Sequence, residues 1–86
     1  MTWKIEWDNK ARKELRNLDP QYQKKILSYL RERSTKNPKN FGKQLSGDKA
    51  SLWRYRIEDF RVVCRIEDEK LTVLVVAVGH RKEIYD

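Results

Sequence analysis

The stretch "LWRYRIEDFRVVCRI" (Leu52–Ile66) restricts the fold of this chain more than any other. Trp53, Tyr55 and Ile57 alternate with Arg54 and Arg56. Beyond Glu58-Asp59, Phe60, Val62, Cys64 and Ile66 alternate with Arg61, Val63 and Arg65. Period-two alternation on both sides of a short polar break specifies two half-buried strands joined as a hairpin. With Glu58-Asp59 as a two-residue turn, Ile57 pairs with Phe60, Arg56 with Arg61, Tyr55 with Val62 and Trp53 with Cys64. Apolar residues then meet on one face and arginines gather on the other. A one-residue slip would exchange the faces, so the pattern itself specifies the register. Glu-Asp is not the usual sequence for such a turn, and its type stays open.

The rest of the chain supplies layers around this hairpin. "TWKIEW" (Thr2–Trp7) alternates Trp3, Ile5 and Trp7 with Lys4 and Glu6 as a first strand. Asp8 is placed to cap a helix whose apolar positions Ala11, Leu15 and Leu18 recur at helical spacing. Asp19-Pro20 opens a second helix, with Pro at its first position, running to about Arg33. Its buried stripe is Tyr22, Ile26, Leu27, Tyr29 and Leu30. Ser34–Ala50 reads as loop and as the most flexible segment. "IEDEKL" turns the chain into "LTVLVVAVG", apolar on both faces as a strand near the middle of a sheet is. If Asp68-Glu69 makes that turn, Arg61 lies opposite Val76. The expected order is β-α-α-β-β-β in a single domain, residues 1–86. This is an α+β fold, with two helices packed on one face of a small, mostly antiparallel sheet.

Charge is unevenly spread. Residues 51–86 hold seven basic and seven acidic side chains, so the whole net charge of +7 lies in residues 1–50, with 13 basic and 6 acidic. That balance favours a polyanionic partner. Lys24, Lys25, Arg31 and Arg33 on the outer face of the second helix, with Lys43 in the loop, are the expected docking surface. The lone Cys64 cannot form an internal disulfide, which suits a cytoplasmic protein. The longest apolar run, Leu71–Val78, has the length of a strand and not of a membrane span. One His and one Cys do not make a metal site, and three glycines leave no phosphate-binding loop.

The arginines carry the chemistry. Like charges directly opposed on a sheet are unfavourable, by an amount on the order of 0.2–1 kcal/mol per pair. Placing Arg56 against Arg61, with Arg54 and Arg65 on the same face, therefore suggests an expected anion; guanidinium forks match phosphate oxygens. The terminal "VGHRKEIYD" (Val78–Asp86) emerges at the Glu58-Asp59 end, so His80, Arg81 and Tyr85 are expected beside Arg56 and Arg61.

Three features together, in this order and spacing, carry a resemblance: "LDP" before the second helix, "LWRYRIEDFRVVCRIED", and "VLVVAVGHRKEIYD". The whole chain resembles the RelE/ParE superfamily of bacterial toxin–antitoxin toxins, and its RelE branch most. That resemblance implies a ribosome-dependent endoribonuclease that cuts mRNA in the A site without metal or other cofactor. The implied catalytic residues are Arg54, Arg56, Arg61, Arg81 and Tyr85, with His80, Lys82 and Arg65 as auxiliary RNA-binding groups. Some members carry lysine where this chain has Arg54 and Arg56; an arginine stabilises a phosphorane but is a poor base. The implied partners are an acidic antitoxin and the ribosome, with operator DNA bound through the antitoxin complex. Two competing readings are a ParE-like inhibitor of DNA gyrase and a non-catalytic nucleic-acid-binding module.

Overall fold

The computed structural model of the chain describes residues 2–45 and 52–80. The elements follow the expected order with one addition. They are β1 (Lys4–Trp7), α1 (Asn9–Arg16), α2 (Pro20–Tyr29), β2 (Lys43–Gln44), β3 (Leu52–Ile57), β4 (Phe60–Glu67) and β5 (Thr72–His80). The five strands are ordered β1-β5-β4-β3-β2. Only the β1–β5 pair is parallel. Interior placement explains why β5 is apolar on both faces.

Both helices lie on one face. Ala11 and Leu15 of α1, and Ile26 with Leu30 at the end of α2, pack on Tyr55, Ile57, Val62, Cys64, Val73, Val75 and Val78. The aspartates mark the helix starts by position: neither Asp8 nor Asp19 makes a side-chain cap. Their main-chain carbonyls open the helices instead, Asp8 O accepting from Arg12 N and Asp19 O from Gln23 N. Helical structure past Tyr29 continues as a wide π-type turn, Leu30–Ser34, whose Leu30 and Ser34 are both buried.

The β3–β4 hairpin has the register that the alternation specifies, pair for pair from Trp53↔Cys64 to Ile57↔Phe60. Glu58 takes a φ of 54°, as the first central residue of a mirror-image hairpin turn must. Its carboxylate is met by Lys25 of α2 at 2.9 Å.

The second hairpin departs from expectation. Arg61 lies opposite Gly79, not Val76. Two causes add. The connection is a 3₁₀ turn, Asp68–Lys70, closed by Leu71 in a left-handed conformation. A bulge between Val63 and Cys64 then leaves Val76 without a partner, since Val63 pairs with Ala77 and Cys64 with Val75. An extra residue in one strand reverses which face its later side chains occupy.

The segment read as flexible loop is partly built. Pro38–Asn40 forms a 3₁₀ turn and Lys43–Gln44 forms β2 on the edge of β3. Tyr55 Oη donates to Pro38 O at 2.6 Å, and Trp53 Nε1 to Phe41 O at 2.6 Å. Ser46–Ala50 of that segment lies outside the described residues.

Candidate functional site

Strand alternation puts Arg54 and Arg56 of β3 and Arg61 and Arg65 of β4 on the face away from the helices. Arg56 and Arg61 are direct partners, and Arg54 is opposite Val63. Arg54 and Arg61 are half-buried, while Arg56 and Arg65 are exposed. The Arg54 guanidinium is held below its ordinary value, by burial first and then by Arg61 and Arg56. Arg54 therefore sits partly desolvated beside two like charges. Such a patch gains from any bound polyanion, which replaces lost water and offsets the repulsion.

Lys43 joins the same face as the register partner of Arg54. Gly42 makes this possible. Its φ is +72°, and a Cβ there would lie 2.2 Å from Arg54 O. The chain can therefore turn against β3 at that point only as glycine. The hydrogen bonds from Tyr55 and Trp53 fix the turn that precedes it. Sequence composition alone had placed Lys43 in a mobile docking loop.

His80 is positioned otherwise than expected. The bulge turns it to the helix face, where it pairs with Phe60 and meets that ring edge-on, 5.8 Å between centroids. Gly79 is the residue that faces Arg61's side. A cleft of about 360 Å³ at this end is lined by Glu14, Asn17, Leu18, Phe60, Val78, Gly79 and His80. Glu14 Oε1 accepts the Val78 N–H at 2.9 Å. Sequence reading missed Glu14, whose acidity on an amphipathic helix gave no sign of a partner 64 residues away. Arg81, Lys82 and Tyr85 lie outside the described residues.

The helix-face cations are spread rather than clustered. Lys25 is engaged with Glu58, and that hydrogen bond raises its pKa. Arg33 lies over the Tyr29 ring at 4.7 Å and near Phe41 at 5.7 Å. Lys24 and Arg31 are exposed on α2 and the turn that follows it. Cys64 is buried in the core, and burial pushes its thiol well up, so it is no nucleophile at neutral pH. Tyr55 is likewise raised by burial and serves packing. Among the described residues no three His, Cys, Asp or Glu side chains converge as metal ligands do. Among them, too, no helix is long and apolar enough to cross a membrane.

Comparison with known proteins agrees with this architecture. Residues 5–85 match the family model described as the ParE toxin of the type II toxin–antitoxin system parDE. Toxin RelG of Mycobacterium tuberculosis is 28% identical over 85 residues, covering 99% of this chain and 98% of RelG. The RelBE2 toxin–antitoxin complex of the same organism contains a chain that superposes with a TM-score of 0.88 at 26% identity, over 94% of this chain and 93% of that one. The isolated Escherichia coli RelE toxin gives 0.77 at 23% identity, over 91% and 83%. With a family model spanning nearly all of its length and both helices set on the same five-stranded sheet, the chain belongs to the RelE/ParE superfamily of type II toxin–antitoxin toxins.

Proposed function

We propose that the protein is a RelE-type toxin, a ribosome-dependent endoribonuclease that cleaves mRNA in the A site. The observation that carries this reading is the opposed Arg56–Arg61 pair with Arg54 beside it, on the one sheet face that the helices leave uncovered. An arginine cluster so placed is built to hold phosphate. In the reaction, the 2′-oxygen attacks the adjacent phosphorus and loses its proton. The bond from phosphorus to the 5′-oxygen breaks and that oxygen takes up a proton. The products are a 2′,3′-cyclic phosphate and a 5′-hydroxyl.

Arg61, supported by Arg56 and Arg54, holds the scissile phosphate and stabilises the charge that builds on it. β5 ends at His80, one residue before Arg81 and beside the Arg61 row. Arg81 stabilises the leaving 5′-oxygen. Tyr85 either activates the 2′-hydroxyl or stacks on a base; Tyr85→Phe abolishes the first role and preserves the second. Arginines cannot act as bases at neutral pH, so the constellation is slow on free RNA and depends on the ribosome to orient the 2′-hydroxyl. His80, turned to the helix face, has no part in this step. A cognate acidic antitoxin is the inhibitory partner, and operator DNA is reached through the complex with it; the superposed M. tuberculosis chain likewise comes from a toxin–antitoxin complex.

The matched family model bears the ParE description, which keeps gyrase inhibition as the second reading. Primer extension on mRNA in ribosomes with an occupied P site and an empty A site separates the two. Discrete A-site cuts that need the ribosome and fade in Arg81→Ala are the expected result. Intact mRNA with a folded toxin, together with inhibition of gyrase supercoiling, overturns it.

A further inference from the structure

The cations of the open face do not stop at the Arg56–Arg61 pair. Moving along the strands away from the β3–β4 turn, the next row on that face carries Lys43 and Arg54, and the row after it carries Arg65 opposite Leu52. Successive rows lie about 6.6–6.8 Å apart, twice the rise per strand residue. That step is close to the separation of neighbouring phosphates in an extended RNA strand. Lys43 is held in its row by Gly42 and by the hydrogen bonds that fix the preceding turn. Among the described residues, the two strand carboxylates on this face each have a lysine nearby: Glu6 lies 3.7 Å from Lys4, and Glu67 lies 3.4 Å from Lys70.

We propose that these three rows form a phosphate track for single-stranded RNA. Arg56 and Arg61 take the scissile phosphate, Lys43 with Arg54 the next one, and Arg65 the one after that. Lys43 is then a substrate-strand residue and not part of a surface that docks on the ribosome, and Arg65 marks the far end of the footprint. The inference rests on the ribonuclease reading and extends it.

Two measurements test it. The first is binding of a fluorescent 2′-O-methyl RNA, which keeps its phosphates but cannot be cut, across a salt series. Lys43→Gln and Arg65→Gln are each expected to lower the slope of log K against log[salt] by about 0.7, and together by about 1.4. The second is A-site cutting of mRNAs in which single phosphates flanking the scissile one are replaced by neutral methylphosphonates. The loss caused by Lys43→Gln is expected to vanish when the adjacent phosphate is neutral, and that of Arg65→Gln when the next one is.

Unchanged salt slopes overturn the track. So does a cutting loss that is the same on every mRNA, which would place Lys43 and Arg65 against ribosomal RNA. Variants that keep the RNA slope but lose affinity for polyglutamate would assign the face to an acidic protein instead. If the wild type binds RNA but never cuts on the ribosome, the ribonuclease reading itself falls and the track falls with it. Both residues are exposed, so their variants fold.

Discussion

The two faces of the sheet come from the same strands, one residue out of step, and do opposite work. On the helix side Tyr55, Ile57, Val62 and Cys64 are buried in one apolar cluster. On the other side their immediate neighbours Arg54, Arg56, Arg61 and Arg65 stand together as like charges. The first face carries the folding energy and little chemistry; burial holds Tyr55 and Cys64 neutral there. The second face sets Arg56 directly against Arg61, an arrangement that a bound anion would relieve. Alternation lets a chain of 86 residues hold both in adjacent positions, because a strand separates neighbours to opposite sides at no cost in length.

Substitutions should sort by face. Ile26, buried at the centre of the helix layer, is the strongest case: Ile26→Ala is expected to cost about 2–5 kcal/mol. At about 4–8 °C per kcal/mol for a domain of this size, a thermal melt will show it, and an unchanged Tm would mean that the helices do not carry the fold. Arg61→Gln should do the reverse, lowering A-site cutting by about 10²–10³-fold while the melting temperature holds. A collapse of stability in that variant would show that the arginine is structural and dissolve the contrast.

Tyr55→Phe probes the seam between the faces. It removes the donor to Pro38 O and leaves a buried carbonyl unsatisfied, at a cost of about 1–3 kcal/mol in a denaturant titration. Cutting should fall only as far as the Lys43 segment loosens. The smallest effect has the opposite sign. Arg56→Gln relieves its opposition to Arg61 and is expected to raise stability by about 0.2–1 kcal/mol. That gain should shrink when RNA is present, because the anion has already screened the pair. A gain that RNA leaves untouched would contradict the view of this face as an anion site awaiting its ligand.

Much of this was legible in the residues and some was not. The β3–β4 register was, because two apolar sets and two cationic sets had to match at once and only one alignment does so. β5 misled: its residues are apolar on both faces, so nothing in "LTVLVVAVG" distinguishes one register from its neighbours. The bulge at Val63/Cys64 and the left-handed Leu71 therefore went unread, and with them the orientation of His80. The loop around Gly42 misled for a related reason. Its polar composition resembles any solvent-exposed segment, while the bonds that fix it come from Tyr55 and Trp53, more than ten residues further on.

Periodicity and pairing within a hairpin are local properties, so the helices, the hairpin and the gathering of arginines on one face follow from the order of residues alone. Which row each cation occupies, which face His80 takes, and that Lys43 stands beside Arg54 are set by the packed molecule. Those outcomes depend on a bulge, on a backbone conformation open to glycine, and on hydrogen bonds between distant segments. Each is settled by how the layers pack together, and no local stretch of residues records that.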